Sequence, residues 1–401
     1  MSEPIPAPVE AAIRSVARPV CAYVYDTAIA RDRVAALRAA LPHGTTILYA
    51  MKANGHPDVV RTMAAAADGV EVASGGELRI AVDAGARRIA FGGPAKTDDE
   101  LTAAVAAARD GVDLTINCES GYEIRRLTRI VGTESPERLS VALRVNRARG
   151  AAVTGSHAMT GVATPFGIDE RDLPDAIAAA AGLPVRGFHL HAVSNNLDAG
   201  AHAAFIRDCL DWSIAAAARF GIELRQVNAG GGFGIDYTGG TAFDLDRMRA
   251  DLAGVDLSGD LSSGGLAGID LVVEPGRFLA APIGWYAAEV IDVKRNLGRW
   301  FAVLRGGTHH FRLPAAWGYS HPFTVLPVDE WTGPEPRPEV RDAAVDAVGE
   351  LCTPRDVLTR DQPVHRVRAG DILVFPTTGG YAWDISHHEF LRHAYPQMIL
   401  I

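Results

Sequence analysis

The sequence predicts an α/β fold, a (β/α)8 TIM-type barrel followed by a mostly β domain, on three observations. Eight short apolar runs recur before about residue 280, nearly all trailed by a helical stretch. The segments between them are Ala-rich and amphipathic, as in DELTAAVAAARDG (99–111) and RDLPDAIAAAAG (171–182). From about residue 280 onward the composition shifts to Pro, Trp and short β-like runs.

In order, the runs are TTILYA (45–50), GVEVA (69–73), RIAFG (88–92), VDLTIN (112–117), LSVALRV (139–145), VRGFHLH (185–191), RQVNAG (225–230) and DLVVEP (270–275). A doubly wound open sheet competes with a barrel. The count of eight and a span of about 250 residues favour closure. Beyond the barrel, WYAAEVIDVKR, FAVLR and DILVFP read as strands around a Pro-rich acidic stretch at 326–340.

The residues after each run are polar or Gly-rich in a way that helix packing does not require. Lys52 follows the first run, Ser74-Gly75-Gly76-Glu77 the second and Gly92-Gly93-Pro94 the third. Asn117 and Glu119 end the fourth, Arg144 and Asn146 the fifth, and His189, His191 and Ser194 the sixth. Gly230 to Gly234 close the seventh, and Glu274-Pro275-Gly276-Arg277 the eighth. In a barrel all of these converge on the face where active sites form. Each has an ordinary reading: Lys52 as a solvated loop lysine, the glycines as a flexible turn, His191 as a core histidine, Glu274 and Arg277 as a rim ion pair. Together, a lysine able to attack a carbonyl as a neutral amine, a backbone loop able to cradle a phosphate beside an arginine, an imidazole and a carboxylate make up a site for pyridoxal phosphate. The glycine run does not match the dinucleotide fingerprint, which disfavours a nicotinamide cofactor.

With YAMKAN (49–54), EVASGGEL (71–78), GGPAKTDDEL (92–101), TPFG (164–167), HLHAVSN (189–195), GGGFG (230–234), EPGR (274–277), LCTPRD (351–356) and GGY (379–381), the chain resembles the barrel-type (fold type III) pyridoxal-phosphate decarboxylases, the family of ornithine and diaminopimelate decarboxylases. The resemblance runs nearly the whole length. It implies a barrel over 26–279, with 1–25 and 280–401 forming the β domain. It also implies a homodimer with shared active sites. Lys52 would carry the cofactor covalently, Glu274 would keep the pyridine nitrogen protonated, and His191 would stack on the ring. Ser194, Gly231, Gly232, Phe233, Gly234, Gly276, Arg277 and Tyr381 would hold the cofactor, chiefly its phosphate. Cys352 would reach in from the partner subunit.

Two departures bear on the substrate. Many members read H-x-G-S-Q where this chain has His191-Ala192-Val193-Ser194-Asn195, so a glycine is lost beside the phosphate. After Cys352, where ornithine and diaminopimelate decarboxylases carry an acid for a distal ammonium, stands Thr353. Arg312 matches the arginine that in the diaminopimelate enzymes receives a distal carboxylate, although a surface ion pair is its ordinary reading. With Thr353 and Asp356 it makes up the expected substrate set. The combination resembles the branch that decarboxylates carboxylate-rich amino-acid conjugates, such as a citryl-diamino acid, in siderophore biosynthesis. Diaminopimelate decarboxylation, racemisation and a non-catalytic homologue are the other readings.

A net charge of −9 disfavours nucleic-acid and anionic-membrane partners, leaving a small-molecule substrate. No run reaches membrane-spanning length and the Pro-rich, acidic N-terminus is unlike a signal peptide, so a cytoplasmic location is expected. The cysteines lack metal-ligand spacing and the paired histidines His309-His310 and His387-His388 would point to opposite faces of a strand, so no metal is expected.

Overall fold

Eight parallel strands close into a barrel: β1 (Thr46–Ala50), β2 (Gly69–Val72), β3 (Arg88–Phe91), β4 (Asp113–Cys118), β5 (Leu139–Asn146), β6 (Val185–His189), β7 (Gln226–Asn228) and β8 (Asp270–Val273). Each lies within two residues of an apolar run identified above. The open-sheet possibility ends at β8, where Val272 and Val273 pair with Thr46 and Ile47 of β1. With first and last strands hydrogen-bonded, the barrel has no free edge. This computed structural model describes residues 4–148, 157–258 and 266–401.

Barrel strands are covered on both faces, which is why they read as continuous apolar runs rather than alternating ones; all five residues of β1 are buried. The helices supply the outer cover. Residues Asp98–Arg109 form a helix because Thr97 and Glu100 make a reciprocal capping box at its start. Leu101, Ala104, Val105 and Ala108 then fall on one buried stripe.

The chain divides into two compact units, one made of Ala30–Ile235 and Thr241–Leu279, the other of Met1–Ile29, Asp236–Gly240 and Ala280–Ile401. The second unit is built on an eight-stranded mixed sheet. Its N-terminal strand, Cys21–Tyr25, lies antiparallel to Gly284–Asn296 and parallel to the last strand, Gln397–Leu400. A helix over Ala7–Arg14 packs Val9 and Ile13 into a core with Val24, Trp285, Ala287 and Val374. Glu289 ties this unit together: its carboxylate accepts from Val20 N at 2.8 Å and from Arg18 Nη2 at 2.8 Å.

Two strand glycines let barrel neighbours approach closely. A Cβ at Gly187 in β6 would sit 1.8 Å from the backbone oxygen of Gln226 in β7, and one at Gly69 would sit 2.2 Å from that of Arg88. Because the obstructing atoms are backbone, Gly187→Ala must spread two barrel strands. We expect a loss of about 2–3 kcal/mol, an overpacking cost, read as a lower midpoint in urea unfolding. An unchanged midpoint would show that the barrel yields at this point.

Candidate active site

Lys52 sits in a single 3₁₀ turn, Met51–Ala53, directly after β1. Its amine bonds the carboxylate of Glu71, which projects from the apolar run of β2. Glu71 is 4% exposed, and that burial raises its pKa against the opposing charge of Lys52. The lysine side chain remains 42% exposed, so its amine is within reach of an incoming carbonyl. The chain's two other lysines are differently placed. Lys96 is buried and bonded to Glu123 at 2.7 Å and to two backbone oxygens, while Lys294 belongs to the β unit.

On the strand that neighbours β1 from the other side, Glu274 is buried at the end of β8. Its Oε1 accepts from Asn228 Nδ2 at 2.7 Å, and its Oε2 lies 3.3 Å from His189 Nε2. Burial pushes its pKa up, but the nearby His189 ring, followed by the charge of Lys52, outweighs it and holds the carboxyl well below its ordinary range. The site thus keeps an anion inside the protein. His191 is pushed the other way: burial, then the Arg144 guanidinium, lowers its pKa far below 6.5 and leaves a neutral ring.

Asn228 also organises the glycine loop. Its Oδ1 accepts from Gly230 N at 2.8 Å, and Gly230 O in turn accepts from Glu274 N at 2.8 Å. Gly231 N donates to His191 Nδ1 at 2.9 Å. Only glycine fits this run. A Cβ at Gly231 would meet Glu274 O at 2.4 Å, and one at Gly232, where φ is +100°, would meet Val193 O at 2.6 Å. The loop therefore presents backbone with no side-chain cover. Val193, which replaces the family's glycine, is 3% exposed and lies on a short strand paired with His157–Ala158. The loop is tethered beyond it: Asn195, at φ +55°, accepts from Ile235 N at 2.8 Å, and Asn196 N donates to Gly232 O at 2.8 Å. Arg277 Nη2 lies 3.5 Å from Ser194 Oγ. These residues fit pyridoxal phosphate: bare backbone with an arginine and a serine for the phosphate, an anionic carboxylate for the ring nitrogen, and an amine for the aldehyde carbon.

Sequence reasoning brought forward Lys52, His191, Ser194, Gly231, Gly232, Phe233, Gly234, Glu274, Gly276 and Arg277, and the structure places all ten in the barrel unit. It passed over Glu71 and Asn228, and it named His189 only as a strand end. A signal existed for two of them. Glu71 is a lone carboxylate inside an apolar strand, and Asn228 is a polar residue in the buried run just before the glycines.

The remaining candidates belong to the β unit. Arg312 and Thr353 line one cavity of about 780 Å³ there. Asp356 is 2% exposed and accepts from Thr308 N at 2.6 Å and Leu351 N at 2.8 Å, so its carboxylate orders the loop that carries Thr353. Cys352 is exposed. Tyr381 takes a left-handed conformation, φ +55°, after Gly379 and Gly380, which are pressed against Ala280 and Ala281. Among the described residues there is no cluster of metal-ligating side chains and no helix long and apolar enough to cross a membrane.

Residues 28–281 match the family model for the pyridoxal-dependent decarboxylase, pyridoxal binding domain. A 2-[(L-alanin-3-ylcarbamoyl)methyl]-2-hydroxybutanedioate decarboxylase of Staphylococcus aureus is 35% identical, covering 98% of this chain and 97% of its own. A diaminopimelate decarboxylase of Aquifex aeolicus is 29% identical over 92% of this chain and 84% of its own. In fold, the chain is similar to the diaminopimelate decarboxylase of M. jannaschii in complex with L-lysine, with a TM-score of 0.80 at 23% identity over 98% of this chain and 89% of that one.

The placement of the lysines and of Glu274 yields one prediction. Borohydride reduction of the holoenzyme and peptide mapping should mark Lys52, and Glu274→Gln should retain cofactor while turnover falls by about two to three orders of magnitude. Labelling at Lys96 or Lys294, or an undiminished rate in Glu274→Gln, would overturn these roles.

Proposed function

Because this chain belongs to the family of pyridoxal-phosphate-dependent decarboxylases, we propose that it removes the α-carboxylate of an amino-acid conjugate whose distal part carries carboxylates. The observation that carries this reading is the cavity shared by Arg312 and Thr353. No Asp or Glu lines it, so a free distal ammonium would find no counter-charge there. A carboxylate would find the planar fork of Arg312. The S. aureus relative, whose printed name describes an alaninyl group joined through a carbamoyl link to a hydroxybutanedioate, supports the same chemistry. A siderophore precursor of the citryl-diamino acid type fits this description.

Bound pyridoxal phosphate supplies the electron sink for the pair left when carbon dioxide departs. The protein's own groups do the rest. In the proposed roles, Glu71 is the proton partner of the Lys52 amine, and a buried carboxylate with a raised pKa is suited to exchange a proton with it. Glu274, kept anionic by Asn228 and His189, stabilises positive charge at the ring nitrogen. His191, kept neutral, offers a flat uncharged face. Gly231 to Gly234, Ser194, Gly276, Arg277 and Tyr381 anchor the phosphate end. Cys352 returns a proton to the α-carbon from the second subunit of a homodimer, which its exposure within its own subunit permits.

The substrate reading is tested by comparing kcat/KM for ornithine, lysine, diaminopimelate and a citryl-diaminopropionate conjugate. The conjugate should lead, and ornithine should lag by about a hundredfold or more, the cost of placing an unpaired ammonium beside arginine. Efficient turnover of ornithine would refute it. The shared site is tested separately by mixing inactive Lys52→Ala and Cys352→Ala proteins. Heterodimers regain one intact site and with it part of the activity, whereas no recovery after demonstrated subunit exchange would count against a shared site.

A further inference from the structure

The cavity that holds Arg312 and Thr353 contains two more arginines, Arg355 and Arg360, together with His387. Three guanidinium groups and no carboxylate line one concavity of about 780 Å³, in a protein whose net charge is −9. Elsewhere in the same unit several arginines are matched: Arg299 pairs with Asp346 at 2.8 Å, Arg337 with Asp371 at 3.2 Å, Arg341 with Glu339 at 2.9 Å, and Arg305 with Glu350. None of the ion pairs found among the described residues involves Arg312, Arg355 or Arg360. Basic side chains gathered in one concavity raise the local concentration of anions there.

The mount is rigid. Arg360 begins the exposed part of a strand, Val357–Arg368, and its backbone N–H and oxygen are both bonded to Ser320 Oγ, at 2.8 and 3.1 Å. Arg355 N donates to Thr353 Oγ1 at 3.3 Å, and Asp356 N to Thr353 O at 3.1 Å. The buried Asp356 carboxylate then fixes that loop through Thr308 and Leu351. Thr353, at the position where relatives carry an acid, thus helps shape the turn that bears Arg355 and adds no negative charge. His387 is lowered in pKa, first by burial and then by the charge of Arg312, so it lies within the field of that arginine.

We propose that Arg355 and Arg360 are specificity-determining residues that, with Arg312, form a three-arginine receptor for a distal head bearing more than one carboxylate. This rests on the carboxylated-conjugate reading above and sharpens it. Arg312 alone accounts for a single carboxylate, as in diaminopimelate; the added pair selects a di- or tricarboxylate head by giving each carboxylate its own fork of N–H donors.

Calorimetric titration of the holoenzyme with citrate and with propionate tests the receptor without turnover. Citrate should bind, and Arg355→Gln and Arg360→Gln should each weaken it about tenfold or more, with the double variant weaker still. Propionate should bind poorly to all of these proteins. Arg355→Lys and Arg360→Lys should recover only part of the loss, because an ammonium keeps the charge without the fork. In turnover of the citryl-diaminopropionate conjugate, the Gln variants should raise KM and leave kcat nearly unchanged. Citrate binding unaffected by both Gln variants, or a wild type that binds propionate as tightly as citrate, would overturn the receptor. If the conjugate is turned over well by wild type and equally well by both Gln variants, the receptor fails while the proposed function stands. If citrate binds through Arg355 and Arg360 but no carboxylated conjugate is decarboxylated, the receptor stands and the proposed function fails.

Discussion

The barrel site depends on keeping the Glu274 carboxylate ionised inside the protein. A buried anion is costly unless its oxygens are satisfied, and here one takes the Asn228 amide while the other faces the His189 ring. The same Asn228 side chain holds the first N–H of the glycine loop, and Glu274 N bonds back to Gly230 O. The carboxylate and the phosphate-type loop are therefore parts of one hydrogen-bonded unit spanning β7 and β8. A shift of either strand would disturb charge and loop together. This is a reason for the close backbone contacts at Gly231 and Gly187, where no side chain could be inserted without moving a neighbour.

Two buried carboxylates in one mouth divide the proton chemistry by their surroundings. On Glu71, burial and the neighbouring Glu274 charge outweigh Lys52 and His189, and its pKa is raised. Glu274 has the imidazoles as well as an amide donor, and its pKa is lowered. Side chains of the same type thus end up suited to different tasks, one to exchange protons with an amine and the other to remain charged.

The strand pattern was legible because barrel strands are buried on both faces and stand out as apolar runs, so all eight could be read within two residues. The site was legible where chemistry is borne by unusual residues after those runs: a lysine, a glycine run, a carboxylate followed by Pro-Gly-Arg. It was not legible where a residue's role depends on a partner from a different strand. Nothing in GVEVA says that its glutamate meets Lys52, because that pairing is made by two neighbouring strands joined through a helix. Nor does RQVNAG say that its asparagine serves Glu274, some 46 positions later. Asp356 shows the opposite limit. Its place in LCTPRD suggests contact with substrate, and nothing in that motif says that its buried carboxylate accepts from Thr308 N and Leu351 N and so organises the surrounding turn.

That role for Asp356 explains how the cavity of the β unit stays cationic. An aspartate beside three arginines would ordinarily neutralise one of them, but both of its oxygens are committed to backbone N–H groups and it lies outside the lining. Thr353 contributes no charge either. The hollow therefore keeps three arginines that no ion pair among the described residues engages. Arg299 and Arg341, elsewhere in the unit, are each paired with a carboxylate. Basic side chains gathered without a counter-charge, on a turn and strand held by hydrogen bonds, are the pattern expected where a ligand supplies the counter-charge. The carboxylate number of the substrate's distal head is the property such a set would read, because each added carboxylate can take its own fork of N–H donors.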